Sequence, residues 1–127
     1  MIVVDTSAIV AMLQNEPGEP ALRRALREAP RAFMCAGTLS ECMVVSGTRG
    51  LHRLAERLIR ETPIEIVPVD ARQAGIVGDV YLNWGKGLHP ANLNFGDCFA
   101  YALAKARDLP LLYVGEDFAR TDVRSAL

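Results

Sequence analysis

The sequence has little net charge, little lysine and no paired cysteine. Its 14 basic and 15 acidic side chains leave a formal charge of -1, which argues against a basic coat for nucleic acid and against an acidic tail. Any site for a polyanion must therefore be local. Only Lys86 and Lys105 are lysines and the other 12 basic residues are Arg. That bias favours planar, bidentate contacts to phosphate wherever such contacts exist. Cys35, Cys42 and Cys98 are odd in number, and none sits in a C-x-x-C. A disulfide scaffold or zinc knuckle is not expected, and the three suit buried thiols in a reducing compartment. Met1 runs straight into Ile2-Val3-Val4 with no charged leader or cleavage site, so no secretory signal is expected. No apolar run reaches membrane-spanning length. Internal repeats and low-complexity tracts are also missing.

What remains is half hydrophobic: 127 residues and 13.9 kDa, the size of one domain over residues 1–127. Surface scaling leaves roughly 6,700 Å² exposed when such a chain folds, about a third of the open chain's area. One core without staples is affordable. The pattern along the chain predicts short apolar strands at Ile2–Asp5, Ala32–Cys35, Ile64–Val67 and Leu111–Val114. Continuous apolar strands of this length belong in a buried parallel sheet. Between them lie helices. Thr6 or Ser7 caps one that runs through Leu13, and Glu16-Pro17-Gly18-Glu19-Pro20 then breaks the chain. Further helices are expected over 21–29, 38–48, 51–60, from Asp70 as cap through about Trp84, and over 95–107. In the 51–60 helix, Leu51, Leu54, Ala55 and Leu58 fall on one side and Arg53, Arg57 and Arg60 on the other. Residues 85–94 read as a surface loop. Strands alternating with helices make this an α/β fold, with layers of helices around a mainly parallel central sheet.

Most of the 15 carboxylates lie among polar residues, as solvated charges should. Asp5, Glu41 and Asp97 do not. Asp5 ends Met1-Ile2-Val3-Val4, Glu41 precedes Cys42-Met43-Val44-Val45, and Asp97 precedes Cys98-Phe99-Ala100-Tyr101-Ala102-Leu103. A fourth acidic spot, Glu116-Asp117, follows the last strand. Asp5 and Glu116-Asp117 sit at carboxyl ends of strands, where open α/β sheets bind ligands. Asp97 and Glu41 sit in first turns of helices, where the dipole favours an anion. Each has a plainer reading: Asp5 as a helix cap, Thr38-Leu39-Ser40-Glu41 and Asn94-Phe95-Gly96-Asp97 as capping boxes, and Glu116-Asp117 as an ordinary turn. Grouped, the acids would need protons, Arg partners or a cation, since two carboxylates 4 Å apart repel by roughly 4 kcal/mol at an effective dielectric of 20. Oxygen donors without paired His or thiolate point to a hard cation, Mg²⁺ or Mn²⁺. His52 and His89 lack ligand-like spacing.

Taken in order, Ile2-Val3-Val4-Asp5-Thr6-Ser7-Ala8, Ser40-Glu41, Asn94-Phe95-Gly96-Asp97-Cys98-Phe99-Ala100-Tyr101-Ala102-Leu103-Ala104 and Gly115-Glu116-Asp117-Phe118 resemble the PIN-domain family. More narrowly, they resemble the VapC-type ribonuclease toxins of prokaryotic toxin–antitoxin pairs. The resemblance spans the whole chain. It implies a PIN-like three-layer α/β/α sandwich and a magnesium- or manganese-dependent endoribonuclease acting in the cytoplasm. It implies Asp5, Glu41 and Asp97 as metal-binding acids. Many members carry the fourth acid where this chain has Gly115, so Glu116 or, preferentially, Asp117 is expected to take its place. Ser7 resembles the family's small hydroxyl near the metal, and Asn94 a polar residue bordering the site. The resemblance also implies a homodimer and a separate antitoxin protein in a groove near the site, for which the 21–29 and 51–60 helices offer apolar sides. RNA contacts are expected from Arg49, Arg53, Arg57 and Arg60 and from Arg120, although such a basic helix face is often only solvated.

Three rivals remain. A phosphatase using Asp5 as nucleophile would want a second Asp two residues later, where Ser7 stands. A phosphate-receiving signalling module would want a Lys at a strand end, and neither Lys86 nor Lys105 is there. A catalytically silent PIN scaffold would bind a partner only. Cleavage of RNA that chelation abolishes separates the ribonuclease from all three.

Overall fold

A computed structural model covering residues 1–127 shows four parallel strands: β1 (Ile2–Val4), β2 (Ala32–Cys35), β3 (Ile64–Val67) and β4 (Leu111–Leu112). Six helices separate them: α1 (Thr6–Leu13), α2 (Glu19–Glu28), α3 (Ala36–Thr48), α4 (His52–Glu61), α5 (Ala71–Trp84) and α6 (Phe95–Arg107). The expected α/β class is borne out. The sheet order is β3-β2-β1-β4. The chain therefore builds outward from β1 through β2 to β3, then returns to place β4 on the other side of β1. That reversal makes the carboxyl ends of β1 and β4 the switch point, where open α/β sheets form a ligand crevice.

Alternation along the strands sorts the core into two layers, because successive strand side chains point to opposite faces. Val3, Phe33, Cys35 and Leu111 pack under α5 and α6, against Val77, Val80 and the run Cys98–Ala104. Ile2, Val4, Ala32, Met34 and Leu112 pack on the other face with Ala8, Ile9 and Met12 of α1, Leu22 and Leu26 of α2, and Cys42 of α3. The result is the three-layer sandwich expected from the pattern. The folded chain exposes 6814 Å², close to the area expected from its mass. All three cysteines are buried free thiols. No helix is long and apolar enough to cross a membrane.

Several boundaries differ from expectation. Asp5, not Thr6 or Ser7, is the N-cap of α1: it is extended (φ -94, ψ 158) and its side chain accepts from the Ser7 N–H. Helix α2 starts at Glu19, ahead of the expected Ala21, because Pro20 falls in the first turn, where its missing N–H has no partner to lose. Helix α3 starts at Ala36 rather than Thr38, directly from Cys35 with no side-chain cap. Thr38 is thus inside the helix and Glu41 lies in the second turn, so the expected Thr38–Glu41 capping box does not exist. Helix α4 runs one residue later than expected at each end, and Leu54 points out, 52% exposed. Strand β4 stops at Leu112 because the next available N–H, on Val114, donates to the Ser7 Oγ at 3.0 Å and leaves the ladder. Asp70 caps α5 as expected. Asn94 and Asp97 form the capping box at the start of α6, each side chain accepting from the other's backbone N–H.

Candidate metal centre

Three elements deliver one carboxylate each to the switch point. β1 delivers Asp5 at its carboxyl end, the second turn of α3 delivers Glu41, and the first turn of α6 delivers Asp97. Their oxygens lie within 4.8 Å of one another. Asp5 is 2% and Asp97 9% exposed, and Glu41 is half-buried.

Each acid is held by a local device. Asp5 Oδ2 accepts from the Ser7 N–H at 3.0 Å and from the Ser7 hydroxyl at 2.7 Å. Ser7 Oγ in turn accepts from the Val114 N–H, which ties Asp5 to the end of β4. Asp97 Oδ2 accepts from the Asn94 N–H at 3.0 Å, while Asn94 Oδ1 accepts from the Asp97 N–H at 2.8 Å. Glu41 lies against Gly96: a Cβ there would stand 1.7 Å from Glu41 Oε2. Only glycine at this position lets α6 pass so close beneath the carboxylate. Capping and site-building are therefore not alternatives here. A carboxylate has two oxygens, and at Asp5 the cap uses Oδ2 and leaves Oδ1 buried without any partner.

The electrostatics are unfavourable as they stand. Burial, opposed by the Ser7 hydrogen bonds and assisted by the Glu41 charge, pushes Asp5 up to about 6. Burial also pushes Asp97 up to about 7; the Asn94 N–H opposes the rise, and the charges of Asp5, Glu41 and Asp117 add to it. Two charges at 4.8 Å repel by about 3–4 kcal/mol at an effective dielectric of 20. A buried acceptor with no partner costs about 1–3 kcal/mol more. Protons relieve this in acid; at neutral pH a cation does so better. The donor set is all carboxylate. The neighbouring Cys42 and Cys98 are pushed up to about 12, first by burial and then by the acids' charges, and neither sulfur belongs to the converging group of ligand atoms. The residues present thus fit a hard divalent cation.

The acids open into a cleft of about 270 Å³ whose walls also include Ser7, Asn94, Val114, Glu16 and Arg49. Ser7 and Asn94, the two polar residues that the resemblance puts near the site, stand beside the acids on these walls. Asp117 is exposed and outside the cluster, yet its charge is felt at Asp97. Glu116 is exposed in the same bend. Gly115, just before this pair, has φ +107, a backbone that residues with a Cβ rarely adopt. Arg120 borders a separate shallow cavity with the loop residues Gly87–Pro90 and Asn92. The expected basic helix face divides: Arg57 is engaged with Glu61 at 2.9 Å, Arg53 and Arg60 are exposed, and Arg49 turns to the acid cleft. His52 pairs with Glu56 and His89 Nδ1 accepts from the Ala91 N–H, so both are engaged away from the acids. Glu16 was not anticipated. It follows α1 after Asn15, whose φ of +50 folds the chain back toward the cleft, and no periodicity marks that turn.

This geometry can be set beside known proteins. Ribonuclease VapC42 of Mycobacterium tuberculosis is 40% identical over 129 residues, covering 98% of each chain. Among solved structures, VapC20 of the same organism, a toxin described as cleaving the sarcin-ricin loop, superposes with a TM-score of 0.78 at 16% identity, covering 97% of this chain and 96% of that one. A toxin–antitoxin complex from Klebsiella pneumoniae superposes with a TM-score of 0.70 at 17% identity, over 96% and 93%. Residues 2–124 match the PIN domain model. With the three-layer parallel fold and the acids at its switch point, this chain belongs to the PIN-domain family.

Proposed function

We propose that the chain is a metal-dependent endoribonuclease toxin, a single PIN domain over residues 1–127 that hydrolyses RNA phosphodiester bonds and is held in check by a cognate antitoxin. The observation that carries this is the buried convergence of Asp5, Glu41 and Asp97 around an unpartnered Asp5 oxygen. Its full-length relative bears the name ribonuclease, and a structural neighbour is a toxin–antitoxin complex.

The three acids would hold Mg²⁺ or Mn²⁺. Bound there, such an ion would supply a lowered water pKa and neutralisation of the phosphoryl oxygens. The protein's own part is placement. Ser7 holds Asp5 by one oxygen and frees the other. The α6 capping box fixes Asp97. Gly96 gives Glu41 room. Asp117, in preference to Glu116, serves as the outer fourth acid through its charge at Asp97. Asn94 on the cleft wall and Arg120 on the loop rim contact the RNA. The groove among Met12, Leu26 and Leu58, bordered by Arg23, Arg27 and Glu61, receives the antitoxin, and the toxin itself is a homodimer.

The test is cleavage of RNA by wild type, Asp5→Asn and Asp97→Asn with Mg²⁺ and with chelator. Wild type should cut only with the ion, and the variants should cut about 10³-fold more slowly. Undiminished cleavage by the folded variants, or cleavage that survives chelation, overturns the assignment.

A further inference from the structure

Arg49 is the only basic residue on the walls of the acid cleft, against the four carboxylates of Asp5, Glu16, Glu41 and Asp97. In such company a guanidinium ordinarily pairs with a carboxylate. Some of the chain's other arginines do so: Arg31 pairs with Glu65, Arg57 with Glu61 and Arg124 with Asp108. Arg49 does not. Its one side-chain partner is neutral, the Gln14 amide oxygen, which accepts from Nη1 at 2.9 Å. Gln14 is the C-cap of α1 and Arg49 the C-cap of α3, so two helix ends hold the guanidinium at the cleft without neutralising it. Five N–H donors are available on a guanidinium and only one is committed here.

We propose that Arg49 is the phosphate-binding residue of the cleft, taking an RNA phosphodiester beside the acid cluster, with Gln14 as the residue that positions it. This rests on the ribonuclease reading above and adds the substrate contact. A charge held by an amide stays whole for an incoming anion, and the planar fork suits phosphate oxygens. Asp5 and Asp97 are held by Ser7 and Asn94 rather than by Arg49, so the guanidinium keeps its free donors at the cleft. The rival role is structural: a cation at a helix carboxyl end is favoured by the dipole.

The two roles separate in the salt dependence of binding. A labelled single-stranded RNA is titrated against the full chain in an Asp97→Asn background with chelator present, so that no cleavage occurs, across a NaCl series. Losing one phosphate contact makes the slope of log affinity against log salt shallower by about 0.7. Arg49→Gln should show this change with affinity weaker by about ten-fold at low salt. Arg49→Lys should keep the slope, and Gln14→Ala should weaken binding by less than Arg49→Gln. In the Asp97-containing protein with Mg²⁺, Arg49→Gln should raise KM more than it lowers kcat. An unchanged slope in a cooperatively melting Arg49→Gln protein overturns the proposal. If wild type still cuts RNA with Mg²⁺ and Asp97→Asn does not, the ribonuclease reading survives that failure. If wild type neither binds nor cuts RNA, both fall.

Discussion

Two groups of acids sit on the same rim of the sheet and behave differently. Asp5, Glu41 and Asp97 come from β1, α3 and α6 and meet over apolar core, with Cys42 and Cys98 beside them. Glu116 and Asp117 lie a few residues past β4 and are exposed. Both groups adjoin apolar segments in the sequence. Only the first has been taken out of water, and burial there raises Asp5 to about 6 and Asp97 to about 7. The difference teaches that a strand end is a place for a site but does not make one. Burial without compensation makes it, since such a cluster persists only if something else satisfies it.

The strongest way to break that comparison is to remove the buried charges. Asp5→Asn and Asp97→Asn should each lower RNA cleavage by about 10³-fold, the equivalent of about 4 kcal/mol of metal-mediated stabilisation. Stability should move the other way. The folded-state values lie above the ordinary 3.8, so the folded form binds these protons more tightly than the unfolded chain. Stability from these groups is present below pH about 4 and is lost as pH rises toward 7. For Asp5 the loss is of order 3 kcal/mol. Melting curves of the metal-free protein should therefore fall across that range, and each Asn variant should melt higher than wild type at pH 8. Mg²⁺ should restore wild type by about 2.7 kcal/mol at a hundred times its Kd and do little for the variants. A flat pH profile in the metal-free wild type would show that burial of Asp5 and Asp97 carries no such cost.

Gly96 sharpens the comparison by testing room rather than charge. A Cβ at this position collides with the Glu41 carboxylate, so Gly96→Ala must displace it while leaving all three acids in the chain. Gly96 is the second residue of α6, where alanine gains only part of the helix propensity it has over glycine in a helix interior, and moving the Glu41 carboxylate away from Asp5 and Asp97 relieves repulsion among the acids. The metal-free variant should thus melt no lower than wild type. Cleavage and the Mg²⁺-induced rise in melting temperature should both fall, activity by about 10–100-fold as for lost support of metal ligands. A variant that melts lower and cuts normally would mean that Glu41 has space to spare.

How much of this was legible depended on whether the information was local. The strands and their parallel arrangement follow from continuous apolar runs separated by helices, and the α6 capping box is written in Asn94-Phe95-Gly96-Asp97. The same kind of letters misled at Thr38-Leu39-Ser40-Glu41, because Cys35 passes straight into α3 and leaves Thr38 inside the helix, its buried hydroxyl without a partner. Asp5 was visible as an acid in an apolar setting, but its double use was not, since the two oxygens are distinguished only in three dimensions. Glu16 and Arg49 line the cleft because two helix ends meet there, and helix ends meeting across the fold leave no periodic trace. Leu54 falls on the apolar stripe of α4 yet faces solvent, since a stripe can be wider than the surface that covers it.

Ser7 offers a smaller test with a distinctive readout. Ser7→Ala removes the hydroxyl donated to Asp5 and the acceptor of the Val114 N–H. At about 1 kcal/mol for each hydrogen bond, the variant should be destabilised slightly and lose about ten-fold in activity. Because the Ser7 bonds hold Asp5 down, their loss should also move the acidic limb of the pH–rate profile upward. A merely structural serine would lower activity without moving that limb.

Asp117→Asn should have the smallest effect of the series. Its carboxylate is exposed, stands outside the cluster, and acts on Asp97 as the weakest of several influences. A hydrated charge acting through solvent is screened, so removing it should cut kcat/KM by less than about ten-fold. Glu116→Gln should do less still. The direction carries information as well: without the Asp117 charge Asp97 ionises more easily, so the acidic limb of the pH–rate profile should shift downward, opposite to Ser7→Ala. If Asp117→Asn instead lost as much activity as Asp97→Asn, the exposed acid would have to join the buried ones when the ion and RNA bind. The two groups would then be one site, separated only while it waits for its ligands.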